Sequence, residues 1–274
     1  MTRAELLACA AALARHRTSF EHFSRSATEF VLERLPAGHA IRVLDVASGV
    51  GDPALAIAAK LGPHGCVTAT DQLAELLHEL TREAWRRTLN NVHTCRADMH
   101  ALPLASASVH CVVSRLGLQQ ARDPGLALRE ARRLLCAGGR ALYVAWGRAD
   151  QPLFRHTVLE PLERCGGPRF REGEAGPFRF AAEGALASAA RKEGLRVLEA
   201  QECEAPWCWP GSAGSLWQAT RETSAPLFEP LLAKLTRRER AALEDRVLQQ
   251  TLPYEREGST IMPVYTQTLL VEKG

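Results

Sequence analysis

The stretch 43-VLDVASGVGDPALAI-57 decides the fold. It begins as a short apolar run, breaks into small residues, and resumes as an apolar, helix-like pattern. A strand, a tight turn and a helix in direct succession make the first half of a βαβ unit. Gly49-Val50-Gly51-Asp52-Pro53-Ala54 fits G-x-G-x-x-G/A. Glycines at that spacing let the backbone turn sharply and approach a ligand. The spacing points to a bound nucleotide without saying which one.

The pattern repeats outward from this stretch. Strands are predicted at 41-IRVLDVA-47, 66-CVTATD-71, 92-VHTCRA-97, 109-VHCVVSR-115 and 140-RALYVAW-146. Helical patterns lie between them at 52–61, 73–89 and 125–135. Short strands alternating with helices imply a parallel sheet with right-handed crossovers. Gly138-Gly139 is expected to end the last of these helices and hand over to the fifth strand. Residues 5–35 read as one or two helices with Phe20, Phe23, Phe30 and Leu35 on an apolar face. After Trp146 the character changes to a proline- and glycine-rich lid over 147–181. A helix at 183–192, a strand at 195–206, a helical insertion at 215–250 and a last strand at 260–273 follow. The expected fold is an α/β, Rossmann-like, seven-stranded sheet, mostly parallel with an antiparallel last strand, carrying N-terminal helices and a helical lid. The expected organisation is a helical cap over 1–38, a nucleotide-binding core over 39–147, and lid insertions with the last strands over 148–274.

The acids choose among nucleotides. Asp45 ends the first strand and Asp52 opens the next helix, so two carboxylates flank the loop. A pyrophosphate seeks the helix N-terminus, and these charges oppose it. A carboxylate there instead suits a cationic or amine-bearing ligand. Asp71 ends the second strand, where an acid can take both hydroxyls of a ribose. Asp98 follows the third, where an acid can accept from an adenine amino group. Taken singly, Asp71 and Asp98 are equally explained as helix caps.

In this order the motifs resemble those of the class I S-adenosylmethionine-dependent methyltransferases. The likeness runs over residues 40–147 through 43-VLDVASGVGDPAL-55, 67-VTATDQ-72, 97-ADMHALPLASASVHCVV-113 and 127-ALREARRLLCAGGRALYVAW-146. Within that class, 114-SRLGLQQARDPGLALREARRLL-135 is most similar to the ubiquinone/menaquinone C-methyltransferases and related small-molecule enzymes of secondary metabolism. The resemblance implies S-adenosyl-L-methionine as cofactor. It places Asp45, Ala47, Gly49 and Gly51 along the methionine part, Asp71 on the ribose and Gln72 beside the adenine. Asp98 and the Met99 backbone would hold the adenine edge, and Ser114 would lie under the amino acid end. Ala47 departs from the family, which has glycine there. A methyl group fits at that position if φ is negative.

The acceptor is less legible. Relatives carry His-His or Arg-Asn after the fourth strand, where this chain has Gln119-Gln120. Glutamine orients by hydrogen bonds but is no base at neutral pH. Arg115, Gln119, Gln120, Trp146 and His156 are candidates for contacting the acceptor. His22, flanked by Phe20 and Phe23, is the candidate general base, with His16 behind it. The aromatics Phe154, Phe178, Phe180, Trp207, Trp209 and Trp217 suit either an acceptor wall or simple core packing.

The 274 residues carry a net charge of +3, too small an excess to point to nucleic acid or a membrane surface. No run approaches the roughly 20 apolar residues of a membrane span, and no secretory leader is read. The eight cysteines form no C-x-x-C pair, and no metal site is expected. They fit reduced thiols in a cytoplasmic protein. The expected partner is a small-molecule acceptor, with no nucleic acid, and the chain is expected as a monomer or homodimer. The leading expectation is O- or C-methylation of a small aromatic, quinone-like or polyketide-like molecule. The alternatives are non-methylating chemistry on the same cofactor, such as cyclisation or rearrangement, and a non-catalytic cofactor-binding partner protein.

Overall fold

The computed structural model describes residues 3–274. Its sheet has the order β3-β2-β1-β4-β5-β8-β6. The strands are β1 (Arg42–Val46), β2 (Cys66–Asp71), β3 (Val92–Arg96), β4 (Val109–Arg115), β5 (Leu135–Trp146), β6 (Leu195–Trp209), β7 (Glu255–Arg256) and β8 (Ser259–Lys273). The short β7 pairs only with β8. β1 to β5 are mutually parallel, and β8 runs antiparallel to β5, with Arg140 opposite Glu272 and Trp146 opposite Thr266. The sheet is therefore mostly parallel with an antiparallel strand at its C-terminal end.

Strand order reverses beside β1, whose neighbours are β2 on one side and β4 on the other. In an open parallel sheet, ligands bind beyond the carboxyl ends of the strands at such a switch point. The residues fit this placement. Val43, Leu44, Asp45 and Val46 are all buried, as a central strand covered on both faces must be.

The chain divides into two compact units. One holds the sheet's first five strands: Ser26–Arg148, with Glu172–Cys203 and Thr266–Gly274. Its core includes Leu44, Val112, Leu128, Leu134, Leu135 and Leu269, each at most 1 % exposed. Burying a side chain of that size stabilises by about 1.5–3 kcal/mol. Phe178 and Phe180 also lie in this unit and are buried.

The other unit is mainly helical and holds the N-terminal segment through Arg25, Ala149–Arg171 and Glu204–Tyr265. Leu162, Trp217, Phe228, Leu232, Leu243 and Val247 form its core. A second aromatic knot packs Phe23 edge-on to Trp207 at 5.1 Å and Phe20 edge-on to Trp209 at 5.4 Å. The long helix Arg237–Thr251 starts with a reciprocal capping box between Thr236 and Glu239, which satisfies two orphan N–H groups at its first turn.

Three details differ from the sequence pattern. Residues 5–35 form three helices, Arg3–Arg15, Arg17–Phe23 and Arg25–Glu33. One break falls at Ser24, whose hydroxyl donates back to the Phe20 carbonyl, a bond that competes with the helix ladder. The division between units falls at Arg25, not at residue 38. The helix Pro124–Leu134 ends earlier than Gly138, and β5 already begins at Leu135. Gly138, at φ +68°, lies inside this strand. The partner register there jumps from Val109–Leu135 to Cys111–Arg140, so the two glycines form a bulge.

Candidate functional site

The loop after β1 is built by hydrogen bonds that turn it back on itself. The Ser48 N–H donates to the Thr70 carbonyl (2.9 Å), and the Gly51 N–H to the Ser48 carbonyl (3.0 Å). Both glycines have positive φ, +55° at Gly49 and +116° at Gly51, and they differ in what surrounds them. A Cβ at Gly51 would lie 2.8 Å from Leu55 and 3.0 Å from Leu80, so packing against the next helix demands a bare Cα there. A Cβ at Gly49 would meet nothing within 4 Å. Its φ of +55° favours glycine, and the space beside it is open to a ligand.

Ala47 corrects an expectation. Its φ is +58°, not negative. A left-handed alanine costs roughly 1–2 kcal/mol. Room for its methyl group comes from Gly117. A Cβ built there would lie 2.6 Å from the Ala47 Cβ and 2.7 Å from the Ser114 hydroxyl. Leu116, beside it, is also left-handed at φ +62°, held by its N–H to the Val144 carbonyl.

The three strand-end acids lie in three environments. Asp45 is completely buried, and neither carboxyl oxygen has a hydrogen-bond partner. Burial pushes its pKa up to about 8. The Arg115 charge opposes the rise, Asp52 and Asp71 add to it, and the nearby Ala54 N–H favours the charged form only slightly. Asp71 is half-buried. One oxygen accepts the Gly49 N–H and the other the Leu73 N–H, both at 3.0 Å. Burial raises its pKa and these bonds hold the rise back. A carboxylate has about four lone-pair sites, so Asp71 keeps capacity for a ligand hydroxyl beside its backbone N–H partners. Asp98 is exposed, with its pKa lowered chiefly by the His100 N–H. Gln72 is exposed, and its side chain also approaches Asp98. The Met99 side chain packs against the core.

Several candidates are committed elsewhere. Arg115, expected against an acceptor, instead forms an ion pair with Asp52 at 2.7 Å, both side chains 11 % exposed. It also donates to the Asp52 carbonyl at 3.0 Å. Thr28 donates to the same carboxylate at 2.9 Å. This clamp ties the end of β4 and the helix Arg25–Glu33 to the loop. Gln119 is buried, and its carbonyl accepts the Trp146 N–H at 2.8 Å. It braces β5 from inside. Gln120 beside it is exposed. Ser114 is buried and donates to the Val46 carbonyl at 3.0 Å, supporting the loop from beneath. Trp146 lies half-buried at the carboxyl end of β5.

The helical unit contains the remaining candidates. His22 is not an available base. Its Nδ1 accepts from Arg25 at 3.1 Å, and a neutral imidazole has only one such lone pair. His16 pairs with Glu222 at 2.9 Å. His156 sits on a π-helical turn, Arg155–Leu159, and burial lowers its pKa. Its Nδ1 is buried without a partner. Trp207, Trp209 and Trp217 are each 3 % exposed. They are core aromatics, not an exposed acceptor wall.

One residue escaped the sequence reading. His100 is buried at the turn after β3, with Nδ1 2.5 Å from Asp98 Oδ1. Its only signal is the spacing Asp98-Met99-His100, which turns use for many purposes. Among the described residues, no group of three His, Cys, Asp or Glu could hold a metal ion. No described helix is long and apolar enough to cross a membrane.

The cofactor implied by the resemblance fits these residues. A buried carboxyl without a partner, an open space at Gly49 and spare lone pairs on Asp71 match an amine-bearing nucleoside. Comparison with known proteins agrees. Residues 43–139 match the methyltransferase domain family. A ubiquinone/menaquinone biosynthesis C-methyltransferase of Hahella chejuensis is 30 % identical over 128 residues, 45 % of this chain and 50 % of the relative. A malonyl-[acyl-carrier protein] O-methyltransferase of Enterobacter lignolyticus is 32 % identical over 161 residues, 58 % of this chain and 61 % of the relative. The match thus spans about half or somewhat more of these relatives' length. A solved putative methyltransferase of Bacillus halodurans superposes with a TM-score of 0.59 at 15 % identity, over 90 % of this chain and 99 % of that one. It shares the fold.

Proposed function

We propose that the chain, whose residues 43–139 match the methyltransferase domain family, is a class I S-adenosylmethionine-dependent methyltransferase that methylates a small molecule at oxygen or carbon. The acceptor we infer is aromatic, quinone-like or polyketide-like, of the kind made in secondary metabolism. The observation that carries the cofactor half of this reading is Asp45: a completely buried carboxyl without a hydrogen-bond partner, beside an open glycine loop. A cationic ligand would supply the missing partner.

When bound, S-adenosylmethionine would supply an electrophilic methyl group on a sulfonium whose sulfur can keep the bonding electron pair. The chain's own part is to hold and align. Asp71 would take the ribose hydroxyls while the Gly49 and Leu73 N–H groups fix its orientation. Asp45 would face the amino acid end, and Asp98 the adenine. Alignment and exclusion of water account for much of the acceleration of such a displacement. Arg115 and Gln119 are engaged within the fold, so no residue pair after β4 serves as base. This favours an acceptor that ionises readily, such as a phenol or an activated carbon acid. Trp146 and the exposed Gln120 are the acceptor contacts we propose at the carboxyl ends of β5 and β4.

The curated relatives support this class. One is a quinone C-methyltransferase and the other an O-methyltransferase of a carrier-bound acid. The test is mass spectrometry of a cell extract incubated with the protein and isotope-labelled S-adenosylmethionine. The expected result is one small molecule gaining a labelled methyl group. Labelled cofactor bound but never consumed would contradict the proposal.

A further inference from the structure

Asp98 does not stand alone at the end of β3. Its Oδ1 accepts the His100 N–H at 2.9 Å and lies 2.5 Å from His100 Nδ1. On the other side of the ring, Nε2 accepts the Asp123 N–H at 3.1 Å. A backbone N–H can only donate, so Nε2 is the bare nitrogen. The proton therefore sits on Nδ1 and points at Asp98. Asp123 is itself fixed, since it caps the helix Pro124–Leu134 through the Leu126 N–H. The ring is 7 % exposed and the carboxylate 46 %. One oxygen of an exposed acid is thus pinned twice by His100, once by its backbone N–H and once by a buried imidazole referenced to a helix. The second oxygen stays outside that network.

We propose that His100 is a positioning residue for cofactor recognition: it orients Asp98 to accept from the exocyclic amine of the adenine. This rests on the S-adenosylmethionine reading above. The ring has no proton or lone pair left over, so it does not act on the acceptor. The arrangement parallels a metal-site histidine whose N–H is held by a carboxylate, with the Asp123 N–H in place of the metal.

The test compares two ligands on the full chain by calorimetry. S-adenosylhomocysteine has the amine; S-inosylhomocysteine has an oxygen there and offers no donor at that position. Wild type is expected to prefer the adenosyl ligand by about tenfold or more, the size of one hydrogen bond to a charged group. His100→Ala is expected to lose most of that preference through the adenosyl ligand alone, leaving inosyl binding within about twofold. His100→Asn, whose amide can replace the Nδ1 donor, is expected to restore it. His100→Gln, with its amide displaced toward the Nε2 position, is not. These last two decide the matter if the alanine variant does not fold. Full preference retained in His100→Ala or His100→Gln, or equal weakening of both ligands, would overturn the role of His100. No binding of either ligand by wild type would instead overturn the cofactor reading itself, and the inference with it.

Discussion

The carboxyl ends of β1 and β3 treat their aspartates in opposite ways. Asp45 is sealed, unpartnered and pushed up to about pH 8. Asp98 is exposed, twice bonded and lowered. A buried carboxyl without hydrogen bonds is expensive. A fold retains one where a ligand repays it. An exposed acid costs little to keep but lacks direction, and a buried histidine supplies it. Asp71 lies between them, half-buried with both oxygens partly used. Affinity is thus expected to come mainly from the β1 end and discrimination from the β3 end.

Five substitutions break or sharpen that contrast, from the largest effect to the smallest. Asp45→Asn should weaken cofactor binding by a hundredfold or more, yet stabilise the ligand-free protein. The sign follows from the raised pKa. Between the unfolded value near 3.8 and the folded value of about 8, the folded state keeps a proton that the unfolded chain has shed. Stability from this group is therefore full below pH 3.8 and falls as pH rises toward 8. Asparagine escapes that fall. The melting-temperature gap between variant and wild type should widen from pH 5 to pH 8, by about 2–4 °C per kcal/mol. A variant less stable than wild type at pH 8 would mean Asp45 is satisfied after all.

Arg115→Gln should lower stability by about 3 kcal/mol in urea denaturation, since it leaves Asp52 buried without its cation. A loss under 1 kcal/mol would mean the ion pair contributes little. Asp71→Ala should weaken S-adenosylhomocysteine binding by roughly 1–3 kcal/mol, read by calorimetry. An unchanged constant would remove the ribose from that strand end. Ala47→Gly should stabilise by roughly 0.5–1 kcal/mol, because the left-handed backbone no longer carries a methyl group. Gly117→Ala should destabilise, and less so in the Ala47→Gly background, because one of its three close contacts is then gone. Strictly additive effects would show that the two positions are not packed together.

The strands and their direction were legible because each is an apolar run closed by turn residues, and the strand-end acids because they recur at matching points. The glycine spacing located the loop. It could not show that Gly51, closely packed against Leu55 and Leu80, and Gly49, with open space beside it, both need glycine for their backbone but differ in surroundings. Room for the methyl group of a left-handed Ala47 comes from Gly117, a residue 70 positions away. Arg115 and Gln119 looked like acceptor contacts because polar residues after a strand often are. Their partners Asp52 and Trp146 lie on other elements, and only the fold brings them together. His100 was invisible for the same reason. Its role depends on the Asp123 N–H, 23 residues on.

The most direct measurement is a calorimetric titration of the full chain with S-adenosylhomocysteine and, separately, with NAD. The expected result is one-to-one binding of the former, weakened by Asp71→Ala and nearly abolished by Asp45→Asn, with no heat from NAD. Binding of NAD, or S-adenosylhomocysteine affinity indifferent to both aspartates, would contradict the assignment of this loop.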